Sequence, residues 1–275
     1  MGYMEAIQAR WKHNDTLLCV GLDPNLTKIP AHLQKSPEPI FAFSKAIIDA
    51  TADLVCAYKP QIAYFSGYAA EKELEKTIDY IHTSYPGIPV ILDAKRGDIG
   101  TTAEMYAREA FDRYQADAVT VNPYMGGDTL KPYLERKDKG TIILCRTSNP
   151  GSKDLQDLEI GGTKLYQKVA QKAANEWNEH GNIMLVVGAT YPSELAEIRA
   201  ITHQMPLLVP GIGAQGGNVQ KAVENGQTPN GAGMVINSSR GIIYADDGEN
   251  FANLAREAAK TLKNEINQFR NKQKP

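Results

Sequence analysis

Short apolar runs rich in Val, Ile and Leu recur along the chain, separated by longer stretches in which apolar positions return every three or four residues. The runs cover residues 16–22, 54–59, 88–95, 118–122, 141–146, 183–188, 207–211 and 233–237. They read as continuously buried strands, because a parallel strand covered on both faces shows no polar alternation. The intervening patterns predict helices near 39–52, 68–84, 101–115, 127–136, 162–180, 193–203, 217–225 and 250–270, with a short extra helix at 3–12. Eight strand–helix alternations joined by compact turns imply right-handed crossovers and a parallel sheet that closes on itself. The predicted fold is α/β, a single (β/α)8 barrel of the TIM type spanning residues 1–275.

An open doubly wound sheet is the competing topology, since Gly211-Ile212-Gly213-Ala214-Gln215-Gly216 matches G-x-G-x-x-G between a strand and a helix. A dinucleotide site also needs an acid about 20 residues on to hold a ribose hydroxyl. Residues 231–237 read Gly-Ala-Gly-Met-Val-Ile-Asn and supply none. The match also follows the seventh strand rather than the first, so it reads as a phosphate loop.

The chain has 275 residues, 42% of them hydrophobic, which suits one barrel with a large core. A formal net charge of −2 and dispersed Lys and Arg argue against a nucleic-acid or membrane surface. The basic tail from Lys260 to Lys274 reads as a solvated helix face and frayed end. No segment approaches the roughly 20 apolar residues of a membrane span, and the N-terminus shows no export signal. Cys19, Cys56 and Cys145 sit in apolar runs without zinc-ligand spacing, as expected for core packing in a reducing cytoplasm.

The densest chemistry lies in Leu92-Asp93-Ala94-Lys95-Arg96-Gly97-Asp98-Ile99. Asp93 and Lys95 are two apart and on a regular strand share one face, here one that points into a low-dielectric interior. An unpaired charge there costs several kcal/mol, so the pair is either used or a structural ion pair. Barrel enzymes take their reactive groups from strand C-termini. Those ends carry Asp23 after the first strand, Lys59 on the second, Thr147-Ser148-Asn149-Pro150-Gly151 after the fifth and Ser239-Arg240-Gly241 after the eighth. Glycine-rich turns after strands seven and eight let backbone N–H groups converge on an anion, and Arg240 adds a bidentate cation.

These residues resemble the orotidine 5′-phosphate decarboxylase family in its longer bacterial branch, along the whole chain. The most specific part is Asp93-x-Lys95-x-x-Asp98-Ile99-x-x-Thr102, supported by Gly21-Leu22-Asp23, Lys59, Ser148-Asn149-Pro150-Gly151, Pro210-Gly211-Ile212-Gly213-Ala214-Gln215 and Ser239-Arg240-Gly241. The resemblance implies conversion of orotidine 5′-monophosphate to uridine 5′-monophosphate without metal or organic cofactor. It also implies a homodimer with shared sites. Lys59, Asp93, Lys95 and Asp98 match the alternating charged network, with Asp98, Ile99 and Thr102 arriving from the partner subunit. Asp23 matches a ribose-binding aspartate and Ser148 a pyrimidine contact. Gln215, in the loop that includes Pro210, Gly211 and Gly213, and Arg240 after the eighth strand match phosphate contacts. Residues 152–162 are an insertion with no transferable motif.

Other classes remain open at this level. The same Asp-x-Lys-x-x-Asp pattern occurs in sugar-phosphate decarboxylases and aldolases, some metal-dependent. A Schiff-base aldolase would also place a lysine on an inner strand, though flanking acids favour its ammonium form. A sensor barrel would bind the phosphorylated ligand without turnover. The five histidines and Trp11 and Trp177 fall on predicted helices or loops, away from the strand ends that carry this chemistry.

Overall fold

The computed structural model describes residues 1–212 and 218–271. Among the described residues ten strands run in chain order: β1 Leu18–Leu22, β2 Ala57–Pro60, β3 Ile91–Arg96, β4 Ala118–Val121, β5 Gly140–Arg146, β6 Glu159–Ile160, β7 Thr163–Lys164, β8 Ile183–Val187, β9 Leu207–Pro210 and β10 Met234–Ser238. Eight of them form one parallel sheet in the order β2-β1-β10-β9-β8-β5-β4-β3. Two isolated parallel bridges, Tyr58 to Val90 and Gln61 to Asp93, bring β2 round to β3. The sheet is thus a nearly closed (β/α)8 TIM barrel, as the alternation predicts. Strands β1, β2, β4, β8 and β10 are buried at every residue, which is why they read as continuous apolar runs.

Helices cover the sheet through apolar stripes. Helix Pro39–Thr51, started by a proline at its first position, buries Ile40, Phe43, Ile47 and Ile48. Helix Glu71–Ser84 opens on Glu71 and Glu73 and buries Leu74, Thr77, Ile78 and Ile81. The N-terminal helix Tyr3–His13 turns Tyr3, Ile7 and Trp11 inward. Its Tyr3 hydroxyl donates to Met184 Sδ at 3.1 Å and its ring packs on Gly140, closing the end of the barrel opposite the strand C-termini.

Hydrophobicity marks burial rather than pairing, so several predicted strands start too early. Leu17, Leu54, Val55, Cys56 and Ile88 are buried but precede the ladder. Helix 101–115 is α-helical only over Gly100–Arg108 and π-helical over Glu109–Arg113. The predicted helix 162–180 opens in the antiparallel β6–β7 hairpin, continues as Leu165–Lys172 and ends in a π-helical turn, Ala173–Trp177. The stretch 127–136 holds only a 3-10 turn and helix Lys131–Leu134. Short helices Ile62–Ser66 and Arg240–Ile243 were too brief to carry a period.

Within the basic tail Lys260 is exposed as expected, and Arg270 is the correction: its buried side chain donates to the Gly231 carbonyl at 2.7 Å and pairs with Asp15 at 2.9 Å, so it ties the last helix down instead of facing water. All three cysteines are buried free thiols, as expected. Among the described residues no helix is long and apolar enough to cross a membrane.

Candidate active site

Two cavities lie at opposite ends of the barrel. The larger, about 880 Å³, is lined at the strand N-termini by Trp11, Ile183, Pro206 and Gly233 and holds none of the predicted chemistry. The smaller, about 380 Å³, gathers Asp23, Lys59, Asp93, Lys95, Ser148, Pro210, Gly211 and Arg240 at the strand C-termini. The second is the candidate site because Asp23, Lys59, Asp93, Lys95 and Arg240 converge there.

At its base Asp93 holds both lysines. Lys59 Nζ lies 2.7 Å from Asp93 Oδ2, and Lys95 Nζ lies 2.6 Å from Asp93 Oδ1. Lys59 and Asp93 are buried, whereas the Lys95 side chain is 46% exposed at the cleft. Burial pushes the Asp93 carboxyl up, but the two ammonium groups outweigh it and hold the acid well below the usual carboxylate range. Burial likewise lowers Lys59, and Asp93 and Asp23 more than restore it, so Lys59 stays cationic to higher pH than a free lysine.

Lys95 reaches Asp93 by a different route from simple strand alternation. Its φ is +47°, a left-handed conformation that costs a β-strand residue free energy. The β3–β4 register shifts between Leu92 and Arg96 at the same place. Thr120 on β4 stabilises the kink, because its hydroxyl accepts the N–H groups of Ala94 and Lys95, each at 2.9 Å. The backbone twist carries Lys95 out of the interior to the cleft wall while its ammonium stays on Asp93. Arg96 braces the following turn through Glu109, at 2.9 and 3.0 Å, and through the Tyr106 ring.

Around this array lie mainly polar groups. Asp23 Oδ1, Asn237 Oδ1 and Ser239 Oγ are buried without a hydrogen-bond partner among the described residues, and all three residues line the cleft. Gly211 has φ +99°, a conformation glycine adopts without strain, at the point where the chain leaves β9. Gly213 and Gln215 lie outside the described residues. Arg240 begins helix Arg240–Ile243 across the cleft.

Asp98, Ile99 and Thr102 do not line the cleft. They follow β3 on the outer surface, where Asp98 Oδ1 accepts the Ile99 N–H at 2.8 Å and the Ile99 side chain is exposed.

A family model described as orotidine 5′-phosphate decarboxylase / HUMPS matches residues 16–254. The chain belongs to the orotidine 5′-phosphate decarboxylase / HUMPS family. A relative named orotidine 5′-phosphate decarboxylase from Azoarcus sp. (strain BH72) is 60% identical over 270 residues, covering 98% of this chain and all of the relative. The solved Leishmania donovani OMP decarboxylase superposes with a TM-score of 0.85 at 41% identity over 98% of both chains. Leishmania donovani UMP synthase superposes with a TM-score of 0.88 at 43% identity, and there the match covers 98% of this chain and 56% of the larger one.

In this member of the orotidine 5′-phosphate decarboxylase / HUMPS family, four contributors had no role assigned from the sequence. Gln61 lines the cleft beside Asp93, and Asn237 and Ser239 present buried oxygens to it. Their positions at strand C-termini were the available signal. Thr120 carried none, since an inward threonine in an apolar strand looks like packing.

Proposed function

We propose that the chain decarboxylates orotidine 5′-monophosphate to uridine 5′-monophosphate, the last step of pyrimidine nucleotide synthesis. The observation that carries this reading is the Lys59–Asp93–Lys95 array at the floor of a polar cleft with Arg240 on its opposite wall. Lys95 is the central catalytic group. A substrate carboxylate placed against Asp93 meets like charge. As its bond to the pyrimidine C6 breaks, the electron pair stays on that carbon beside the Lys95 ammonium. The ammonium therefore gains interaction mainly in the transition state, which raises the chemical rate. Lys95 Nζ then gives its proton to C6 and carbon dioxide leaves.

Asp93 and Lys59 keep the array charged and oriented before substrate arrives, so little reorganisation is needed during reaction. Asp23 receives the ribose, Ser148 the pyrimidine, and the phosphate is received by Arg240 and by Gln215, the latter in the loop that contains Pro210, Gly211 and Gly213. The chain works as a homodimer in which Asp98, Ile99 and Thr102 complete the partner's site. Ile99 and Met105, on and just after that segment, expose apolar side chains, as does Met125, which lies beside Gly97, and these exposed apolar groups support this arrangement. Purified protein should consume orotidine 5′-monophosphate, followed by absorbance, at a rate unchanged by a chelator. Loss of the activity with chelator would favour a metal-dependent sugar-phosphate reaction, and no turnover would favour a sensor.

A further inference from the structure

Arg146, the last residue of β5, is fully buried yet does not line the cleft. Its guanidinium faces away, between the rings of Tyr166 and Tyr191 at 5.3 and 5.1 Å from their centroids. Nε and Nη2 grip Glu194 of helix Pro192–Thr202 at 2.5 and 3.1 Å, and Nη2 lies 3.3 Å from Asp157. Nη1 donates to Ser152 Oγ at 3.2 Å and to Gln156 Oε1 at 3.4 Å. A buried guanidinium is tolerated only with such a full set of acceptors. Here those acceptors sit on helix Pro192–Thr202 and on the 152–162 insertion.

Gln156 carries the clamp to the cleft. Its Oε1 accepts the Thr147 N–H at 2.9 Å and its Nε2 donates to Thr147 Oγ1 at 2.9 Å. The Thr147 hydroxyl in turn donates to Asn149 Oδ1 at 2.7 Å. Ser148, between them, is backed by Gly188, where a Cβ would come within 2.9 Å of the Ser148 Cβ, and Gly188 N donates to the Arg146 carbonyl at 2.8 Å. The segment 147–149 is therefore fixed from behind on two sides and presents Ser148 and Asn149 to the cleft.

We propose that Arg146 and Gln156 are positioning residues that set the Thr147-Ser148-Asn149 wall for the pyrimidine base, and so govern how strongly the site prefers a nucleotide to a base-free sugar phosphate. The inference rests on the reading of the cleft as an orotidine 5′-monophosphate site with Ser148 facing the base. It gives the 152–162 insertion a role: to supply the acceptors and the amide that lock this wall. Misplacing a substrate-facing group by about 1 Å can cost on the order of a hundredfold in rate.

Gln156→Leu removes both bonds to Thr147 while leaving Arg146 on Glu194 and Asp157. Gln156→Glu keeps an acceptor for Arg146 and for the Thr147 N–H. Uridine 5′-monophosphate and ribose 5-phosphate are the probes, with binding measured by calorimetry or competition and turnover on orotidine 5′-monophosphate measured in parallel. The leucine variant should bind uridine 5′-monophosphate at least tenfold more weakly, bind ribose 5-phosphate within twofold of wild type, and lose kcat. The glutamate variant should recover much of the loss. Equal weakening of both probes, or unchanged nucleotide binding, would show a general structural brace and overturn the inference. Wild-type protein that neither turns over orotidine 5′-monophosphate nor binds the product would overturn the reading of the cleft, and this inference with it.

Discussion

The Thr120 hydroxyl donates to Asp93 Oδ1 at 2.9 Å while accepting two backbone N–H groups from the Lys95 kink. One donor and two acceptor sites are all that a hydroxyl has, and each is used. Thr120 therefore fixes both the acid and the backbone of the lysine that the acid holds.

Replacing Thr120 by Val keeps the shape and removes all three bonds. Backbone groups left without partners cost about 1–3 kcal/mol each when buried, less where the cleft admits water. The expected outcome is a kcat lower by roughly 10- to 100-fold, with melting lowered by about 3–6 °C. Thr120→Ser should recover most of both. Wild-type kcat in the valine variant would show that the kink holds without the hydroxyl.

Lys95→Ala should abolish turnover while leaving a folded protein, because it removes the charge stabiliser and the proton donor together. If Asp98 acts across a two-fold interface, Lys95→Ala and Asp98→Ala chains should complement on mixing. Each heterodimer then has one site with both lesions and one with neither. Half the dimers being mixed, activity should return to roughly a quarter of wild type per subunit. Verified heterodimers as inactive as their parents would mean that Asp98 acts within its own chain or not at all.

Arg240→Ala should depress turnover of the phosphorylated substrate severely and that of the nucleoside orotidine hardly at all. Orotidine itself should lose kcat as well as affinity, because phosphate binding energy is used at the reacting carbon. Comparable losses on both substrates would assign Arg240 to structure.

Stability should also depend on pH through the buried pair. The Asp93 carboxyl is depressed in the folded state, so its contribution is present above the unfolded value of about 3.9 and is lost as pH falls through the folded one. Lys59 is raised, so its contribution is intact below about 10.4 and is lost only above that. Asp93→Asn should therefore cost about 3–5 kcal/mol at neutral pH, a gap steady from about pH 5 to 8 that narrows below about pH 4. Urea unfolding of both proteins across this range gives the comparison. A gap that widens in acid contradicts the pairing.

The barrel was legible because buried parallel strands and striped helices leave different periods in the sequence, as in Leu18–Leu22 against Pro39–Thr51. The cleft residues Asp23, Lys59, Asp93, Lys95, Ser148 and Arg240 were legible because strand C-termini can be counted. The route by which Lys95 meets Asp93 was not, since a left-handed residue in a strand has no composition signal when it is not glycine. Nor was the Arg146 clamp, whose partners Gln156, Asp157 and Glu194 lie up to 48 positions away and meet only through the fold.

Around most of its circumference the barrel is laced by regular ladders, but between β2 and β3 only two isolated bridges join neighbours. The Lys59–Asp93 ion pair spans that same gap. The proposed reaction centre is thus also the buckle of the barrel. Breathing of the wall should begin beside the cleft, and a variant that unfastens this pair to alter the chemistry should also loosen the hoop. Amide exchange at Tyr58, whose N–H donates across the gap to the Pro89 carbonyl at 3.1 Å, is the place to see that coupling.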